Sequence, residues 1–479
     1  MCARWRWALV IAITGCGGGS MQQTPADAAS VEAPLDASGD GSGDGSGASD
    51  ATPDDVLTDG APADASGGCD VTAIPTWASG ASFTRTLDVR ASAPAGGDGS
   101  EAKPFSTVEA GLRAAKAGDR VLIHAGTYAG GAYVDTLKGT ASQPILVSGA
   151  PGEAKPVIDG GAEGLHLTDA TYAIVADLEV RGQTSNALNV DDGGSYDTPA
   201  HHLVFRGLHV HDVASGNHDG LKMSGVDDAV IVDSVFERIG GQMVDMVGCH
   251  RVTVAKCTFR NGESVGVQLK GGCSDSIVTR SRFENAGPRG VNMGGSTGLT
   301  FFRPIDAKFE AARIVVSANV FVGGDTPFAY VGCDECTAAH NTIIRPLRWA
   351  ARILQETVDT TRFVPCRKGR FVDNLVVVGP GISGETVNVG PNTDPASFTF
   401  ANNLWFHTGN PSFTPTLPVA QSAPVYGDPE LVDLAKPDAH LTTASPAIGK
   451  GLDMKSLVPG DHDGRCWKTA EAIGAFEGP

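Results

Sequence analysis

The residues best suited to chemistry recur at a fixed spacing in the middle of the chain. Lys222, Asp245, Gln268 and Asn292 follow one another in steps of 23, 23 and 24 residues, and each stands between two apolar residues. Successive side chains of a strand point to opposite faces, so the apolar neighbours should face inward and these four polar side chains outward. We call these four residues the polar row, and His166 and Asn189, again 23 residues apart, should continue it toward the N-terminus.

Further charged side chains gather around the polar row. Lys270 follows Gln268 by two residues, so its side chain should also face outward. Arg289 stands three residues before Asn292, and His218 and Asp219 occupy the turn before Lys222. Ammonium and guanidinium groups bind anions, and a pair of carboxylates such as Asp219 and Asp245 suits a calcium ion. This is the densest set of ionisable side chains on one predicted face, so the sequence predicts the functional site there.

The repeat also decides the architecture, because a fixed period of roughly 20–50 residues is typical of a solenoid. A second signature runs in step with the first: one small polar residue per coil precedes an apolar position, where its side chain can bond the backbone of the next coil and stack into a ladder. The ladder positions are Ser234, Cys257, Ser281, Asn319, Asn341, Asn374 and Asn403.

These two signatures resemble the right-handed parallel β-helix of the pectate-lyase-like superfamily, and the resemblance covers residues 91–476. It implies an all-β fold, a single-stranded right-handed parallel β-helix solenoid. Residues 91–130 should form its N-terminal cap, in which the sequence from Ser106 to Glu109 reads as a capping box that opens a short helix. Residues 425–479 resemble the closing segment of such proteins and should form the C-terminal cap.

The resemblance implies a lyase that cuts uronate-containing polysaccharides by β-elimination, as chondroitinase B, alginate lyases and pectate lyases do. Such a reaction needs a base and a cation that neutralises the sugar carboxylate. Lys222 lies beside Asp245, which favours its ammonium form and makes it a poor base. Lys270 has cationic Arg289 nearby, which favours its neutral form, so we expect Lys270 to be the base and Arg289 or Lys222 to hold the carboxylate.

The same resemblance assigns the remaining site residues. Asp219 and Asp245 would bind calcium, and substrate would be bound by His218, Gln268, Asn292 and Arg352. The acidic cluster of the related lyases is thinner here, because only Glu263 precedes Lys270 where those enzymes place calcium ligands.

Three other functions stay open at this point. A non-catalytic glycan-binding or cell-surface structural protein could use the same row only to bind. A polygalacturonase-like hydrolase would need convergent carboxylates, and the sequence offers Asp227-Asp228 in a turn away from the row. An epimerase is the third.

The N-terminus indicates export. Residues 1–16 combine Arg4 and Arg6, a short apolar core and a sequence around Cys16 that resembles the lipobox of bacterial lipoproteins. Lipidation of Cys16 would anchor the protein in the bacterial cell envelope, at the outer membrane or the cell surface. The alternative is ordinary signal-peptide cleavage, with Cys16 as a bystander.

Residues 17–70 contain eleven carboxylates and no Lys or Arg, in an Ala/Asp/Gly/Ser/Pro-rich sequence that predicts an extended tether. Residues 71–479 should form one folded body, and the net charge of −19 is carried in large part by the tether. No basic stripe supplies the electrostatic footprint of a nucleic-acid partner. We expect an acidic polysaccharide as the partner, membrane contact through the lipid anchor only, and a monomer.

The spacing also predicts two insertions between coils. The step from Asn189 to Lys222 is 33 residues, so an insertion should bulge out near residues 192–202, and a second one spans residues 296–312. Insertions on a solenoid commonly build the walls of a binding groove. Phe301 and Phe302 could stack on sugar rings, although packing of the loop is the favoured interpretation.

The cysteine pattern favours structural over metal-binding roles. Cys249 and Cys273 should face each other across adjacent coils, and Cys257 should be a buried thiol. Cys333 and Cys336 are too isolated to indicate a zinc site, which favours a structural role for this pair.

Overall fold

The computed structural model describes Cys69, residues 74–382 and residues 384–479. The signal sequence, Cys16 and nearly all of the tether lie outside the described residues. In chain order the strands are β1 (Arg85–Val89), β2 (Asp119–Ile123), β3 (Thr127–Ala129), β4 (Ala132–Val134), β5 (Ile145–Gly149), β6 (Val157–Asp159), β7 (Leu165–Thr168), β8 (Thr171–Ala176), β9 (Glu179–Arg181), β10 (Leu188–Asp191), β11 (Ala200–Arg206), β12 (His209–Val213), β13 (Leu221–Ser224), β14 (Val226–Val232), β15 (Val235–Ile239), β16 (Val244–Val247), β17 (Thr253–Ala255), β18 (Thr258–Arg260), β19 (Val265–Lys270), β20 (Cys273–Ser274), β21 (Ile277–Thr279), β22 (Arg282–Glu284), β23 (Arg289–Gly294), β24 (Ala311–Ala312), β25 (Val315–Ser317), β26 (Val320–Val322), β27 (Thr326–Val331), β28 (Cys333–Asp334), β29 (Thr337–Ala339), β30 (Thr342–Ile344), β31 (Ala351–Leu354), β32 (Arg370–Val372), β33 (Leu375–Val378), β34 (Val387–Val389), β35 (Thr399–Ala401), β36 (Leu404–His407), β37 (Val425–Tyr426), β38 (Leu431–Asp433) and β39 (Asp438–Leu441).

Most of these strands stack into three long parallel sheets, which run along the three sides of a right-handed β-helix. Within the described residues, the first sheet holds 12 strands from β1 to β35, the second holds 10 strands from β4 to β34, and the third holds 12 strands from β3 to β37. Each coil contributes one strand to each sheet, so the predicted β-helix is confirmed. A short side sheet of β20, β24 and β28 and an antiparallel pair of β38 and β39 complete the strands.

The helices are few and short: α1 (Thr76–Ser79), α2 (Val108–Ala114) and two 3-10 turns at Leu299–Phe301 and Pro395–Ser397. Helix α2 buries Val108 and Leu112 at the start of the β-helix core, as an N-terminal cap should. Its N-cap is Thr107, whose Oγ1 accepts a hydrogen bond from the Ala110 amide at 3.2 Å. The predicted capping box was therefore wrong in detail, since Glu109 bonds Arg113 instead, at 2.8 Å.

The interior is built from stacks of like side chains. Phe236, Phe259, Phe283 and Phe321 stack from coil to coil, with ring centroids 5.4, 4.8 and 4.6 Å apart. The polar ladder is also present. From Ser281 through the four asparagines, each ladder residue donates its backbone N–H to the next asparagine's side-chain oxygen at 2.9–3.1 Å. These asparagines are fully buried, and the ladder supplies their amides with partners.

The C-terminal segment packs along the flank of the β-helix. Trp467 and Met454 cover outward-facing residues of the first sheet, and Ile473 covers Leu375 and Leu404 on the third. A disulfide joins Cys69, at the base of the tether, to Cys466 in this segment.

The other cysteines follow the sequence interpretation. Cys333 and Cys336 form a disulfide. Cys249 and Cys273 are free thiols in contact across adjacent coils, since the Cys249 amide donates to the Cys273 Sγ at 3.2 Å. Cys257 is a buried free thiol, and burial raises its pKa to about 12.

No helix among the described residues is long and apolar enough to cross a membrane.

Candidate functional site

The polar row lies on the outer face of the second sheet, as the spacing predicts. The pairing register places Lys222 beside Asp245, Asp245 beside Gln268, and Gln268 beside Asn292. Neighbouring strands are about 4.8 Å apart, so the four residues form a continuous line across four coils.

The row extends beyond these four residues in both directions. Toward the N-terminal end it continues through Asn189, His166 and Tyr133. Toward the C-terminal end it passes Ala329 to reach Arg352. The row therefore contains three of the four predicted substrate-binding residues, Gln268, Asn292 and Arg352.

Two lysines and two aspartates form a compact cluster at the centre of the row. The Lys222 Nζ contacts Asp245 Oδ2 closely and lies 3.2 Å from Asp219 Oδ2, while the Lys270 Nζ lies 3.3 Å from Asp245 Oδ1. The sequence did not predict the contact between Lys270 and Asp245, because the two residues belong to different rows. A diagonal reach between adjacent strands brings them together, which is within range of a long side chain.

Burial and nearby charges shift the pKa values of the two carboxylates of this cluster in opposite directions. Burial disfavours ionisation of both. At Asp245 the charges of Lys222 and Lys270 outweigh burial, so its pKa lies below the usual range. At Asp219 burial outweighs the charges of Lys222 and Lys270, and the neighbouring Asp245 carboxylate acts in the same direction as burial, so the pKa of Asp219 is raised. Burial also opposes the charge of Lys222, but the flanking carboxylates prevail and raise its pKa.

The cluster does not fit the predicted calcium ion. All four carboxylate oxygens already face donors: Asp219 Oδ1 accepts from the Gln242 amide at 2.9 Å, and the other three face the two ammonium groups. Lys222 bridges Asp219 and Asp245, at the position that a cation shared by the two would take. We therefore derive no chemical step through calcium.

The centre of the row is outward-facing yet well covered. The Lys270 side chain is only 7% exposed and Asp245 is inaccessible, whereas Lys222 retains 23% exposure. The chain that leaves β23 lies close over this region. A Cβ added at Gly295 would stand 2.5 Å from the side-chain nitrogen Nε2 of Gln268. The sequence predicted the direction of these side chains but not the cover above them.

Glu310 fixes that cover in place. Its buried carboxylate accepts hydrogen bonds from the Gly271 amide at 2.8 Å and from the Thr297 amide at 2.9 Å, and it also contacts the Thr357 hydroxyl. Burial raises the pKa of Glu310 above its usual range. Its contacts tie the insertion of residues 296–312 to the strand end that carries Lys270.

The two predicted insertions pack on each other. Arg303 donates to both carboxylate oxygens of Asp192, at 2.5 and 3.0 Å, and its guanidinium lies 4.1 Å from the centre of the Tyr196 ring. Phe302 is fully buried against Phe363, with ring centroids 5.2 Å apart, so it packs the loop down, while Phe301 is exposed. The insertions form one wall beside the carboxyl ends of the central strands.

An arginine cluster occupies the C-terminal part of the row. Arg289 is the first residue of β23. It donates to Asn292 at 3.3 Å and to Glu356 at 2.7 Å. Arg352, on β31, stacks over Trp349 at 4.6 Å. Burial and, after it, the positive charge of Arg289 lower the pKa of Arg352 to about 10.

A second polar cluster lies at the N-terminal end of the row, where the spacing predicts His166 but not the carboxylates beside it. The His166 ring contacts Glu163 at 2.9 Å and Asp191 at 2.7 Å through its two nitrogens. Burial disfavours the charged ring, but the two carboxylates prevail and raise its pKa to about 9. The 23-residue step from His166 to Asn189 was the available signal. The predicted His218 lies in the turn before β13, and its Nδ1 is buried without a partner among the described residues.

Comparison with known proteins agrees with this fold. The family described as right handed beta helix region matches residues 163–343. No curated protein sequence matches the chain significantly.

Three solved structures illustrate the likeness. Pectate lyase Pel9A is 17% identical, with 84% of this chain and 98% of that chain covered and a TM-score of 0.52. XylC in complex with xylose is 10% identical, with 82% and 98% covered and a TM-score of 0.51. An alginate lyase from Paenibacillus sp. str. FPU-7 is 17% identical, with 67% of this chain and 98% of that chain covered and a TM-score of 0.43. At these identities the first two likenesses establish the fold, a right-handed parallel β-helix.

Proposed function

We propose that this protein acts on an acidic, uronate-containing polysaccharide outside the cytoplasm and cleaves it by β-elimination. The observation that carries the proposal is the continuous row of polar side chains that brings the lysine cluster and the arginine cluster onto one face. The likeness to a pectate lyase motivates the reaction class, while the residues supply the argument for it.

The arginine cluster is the part of the row best suited to hold a sugar carboxylate. Arg289 and Arg352 repel each other, and Glu356 pairs with Arg289 only. An anion placed between the two guanidinium groups would relieve that repulsion and accept hydrogen bonds from both. Trp349 adds an aromatic surface beside Arg352. A uronate carboxylate bound there would be neutralised, which makes the proton on the adjacent carbon easier to remove.

The lysine cluster supplies the candidate base. Lys222 is the poorer choice, because its ammonium is held between two carboxylates. Lys270 has one carboxylate contact, at 3.3 Å, so we keep it as the base. In the proposed step the Lys270 ammonium first releases a proton to solvent, and the neutral amine then takes the proton next to the carboxylate. The electron pair forms a carbon–carbon double bond, and the glycosidic oxygen leaves and takes a proton from water. Because Lys270 is nearly buried, the loop at Gly295 must open for substrate to reach it.

The test follows ultraviolet absorbance while the protein is mixed with pectate, alginate or chondroitin. We expect an unsaturated-uronate signal with at least one of them. Lys270→Met should lower the rate by at least about 100-fold, the lower end of a general base's contribution. Lys368→Met is the matched control, because Lys368 pairs with an exposed carboxylate at 2.7 Å away from the row. Equal loss in both variants, or normal cleavage by Lys270→Met, would contradict the assignment.

The burial of Lys270 and Asp245 favours the alternative function, a non-catalytic glycan-binding protein. In that case the row would bind polysaccharide without a reaction. A flat absorbance trace combined with retention on immobilised pectate or alginate, lost in Arg352→Met, would establish binding in place of cleavage.

The envelope location remains part of the proposal. Disulfides between Cys69 and Cys466 and between Cys333 and Cys336 support an oxidising compartment, because such bonds are rare in reducing cytosol. Lipidation of Cys16 would then hold the β-helix, through residues 17–70, at the bacterial outer membrane or cell surface.

A further inference from the structure

A histidine cluster outside the polar row lies on the outer face of the third sheet. His209 and His211 alternate along β12, so both rings stand on the same face, with centroids 4.2 Å apart. Glu179, the first residue of β9, pairs in register with His209. The proposed reaction uses none of these residues.

We propose that Glu179, His209 and His211 bind a divalent transition metal ion, with zinc as the best match. One ligand atom from each residue lies within 4.8 Å of the others. Imidazole nitrogens with a carboxylate oxygen are a donor set that suits zinc, whereas calcium takes oxygen ligands almost exclusively. Three protein ligands leave the fourth position of a zinc ion for water or another small ligand.

The hydrogen bonds of His211 favour a cation at this place. Its Nδ1 lies 2.6 Å from Asp212 Oδ2, and its Nε2 lies 3.2 Å from Glu179 Oε1. A neutral imidazole has one N–H, so it can donate to only one of the two carboxylates. If Nδ1 donates to Asp212, the lone pair of Nε2 faces the lone pairs of Glu179. A metal ion between Nε2 and Glu179 removes that repulsion.

Asp212 would then act as a positioning residue. A carboxylate that accepts from the second nitrogen of a ligating histidine fixes its tautomer and ring orientation and raises its basicity. His211 is buried, so its ring is held, while His209 is one-third exposed and leaves a path from solvent.

The groups that now contact the three ligands have other partners. Arg181 donates to Glu179 at 2.8 Å and also to Asp159 at 3.3 Å, so it keeps a carboxylate when Glu179 turns to the metal. Glu237 accepts from His209 at 2.9 Å and keeps Arg260, at 2.5 Å, when His209 is released.

The surrounding charges also permit a divalent ion. Four carboxylates, those of Asp159, Glu179, Asp212 and Glu237, face three guanidinium groups, those of Arg181, Arg238 and Arg260. The neighbourhood therefore carries an excess of one negative charge before a metal binds.

The test measures zinc binding directly. The protein is treated with chelator and desalted, then titrated with zinc against a chromogenic indicator and with cobalt(II) while visible absorption is recorded. We expect one saturable zinc site whose cobalt form absorbs as a nitrogen- and oxygen-ligated centre. His211→Ala and the shape-conserving Glu179→Gln should each weaken zinc binding by at least about tenfold, and Asp212→Asn by about 10–100-fold.

His407→Ala is the matched control, since His407 bonds only a backbone amide on its ring nitrogen. The proposal is overturned if no saturable zinc site appears, or if Glu179→Gln and His211→Ala bind zinc as the control does while circular dichroism shows them folded. The readout involves no polysaccharide, so this result is independent of the proposed lyase activity.

Discussion

Removing the charge of Asp245 tests the central cluster most directly. Asp245 is inaccessible to solvent and faces both Lys222 and Lys270. Asp245→Asn preserves the shape of the side chain but removes its charge, which leaves Lys270 without a carboxylate and Lys222 with Asp219 alone, at 3.2 Å. Breaking a buried ion pair by removing one partner costs about 3–5 kcal/mol, because the other charge stays buried and unpaired.

A second substitution should restore part of that loss. In Asp245→Asn/Lys270→Met the unpaired ammonium is gone, and Lys222 and Asp219 remain as a matched pair. We expect the double variant to be more stable than Asp245→Asn alone by about 1–3 kcal/mol, the range of coupling energies between contacting residues. Lys270→Met alone should cost less than Asp245→Asn, since Asp245 keeps Lys222.

Urea unfolding followed by tryptophan fluorescence measures these differences, with the slope of the transition checked for constancy. The matched control is Asp169→Asn, which breaks an exposed pair with Lys138 at 3.8 Å and should cost no more than about 1 kcal/mol. The reasoning is refuted if Asp245→Asn costs no more than Asp169→Asn. It is equally refuted if the double variant loses the sum of the two single losses.

Two further predictions concern pH and location. The pKa of His166 is raised from an ordinary value of about 6.5 to about 9, so its stabilising contribution is complete below the lower value and disappears as pH rises through the upper one. Relative to His166→Gln, the wild-type free energy of unfolding should therefore fall by roughly 3 kcal/mol at most across that window, and parallel pH profiles would exclude this role. Cys16→Ser should move the protein from the membrane fraction to the soluble fraction, whereas a wild-type protein that is already soluble would contradict lipidation.

Much of the fold could be predicted because each coil of a solenoid repeats the same pattern of residues at a fixed period. The 23-residue step places Lys222 and Asp245 on neighbouring strands. The asparagine positions predict a buried ladder, because a buried side-chain amide needs hydrogen-bond partners within the protein. The N-cap was misplaced by one residue, since both Ser106 and Thr107 carry a suitable hydroxyl and the local sequence does not choose between them.

The candidate site could be predicted in position but only partly in its contacts. Spacing alone identified the polar row, whereas the strand register joins Arg352 to it. The spacing also placed His166 on the row, but it missed the carboxylates beside that ring and the pair of His209 and His211, although the alternation of the two histidines was visible in the sequence. Glu179 and His211 belong to different strands, so their proximity depends on the strand register between coils. A sequence pattern along the chain does not predict such a ligand set.

The sequence by itself determined the coil period, the inward and outward faces of each strand and the existence of two insertions, because each follows from the repeat of apolar and polar residues. Only the tertiary structure decided that Lys270 shares Asp245 with Lys222, that Lys222 stands where a calcium ion was expected, and that the chain after β23 covers the row. These outcomes depend on side-chain reach between coils and on the path of an irregular loop, and neither is encoded in a periodic pattern.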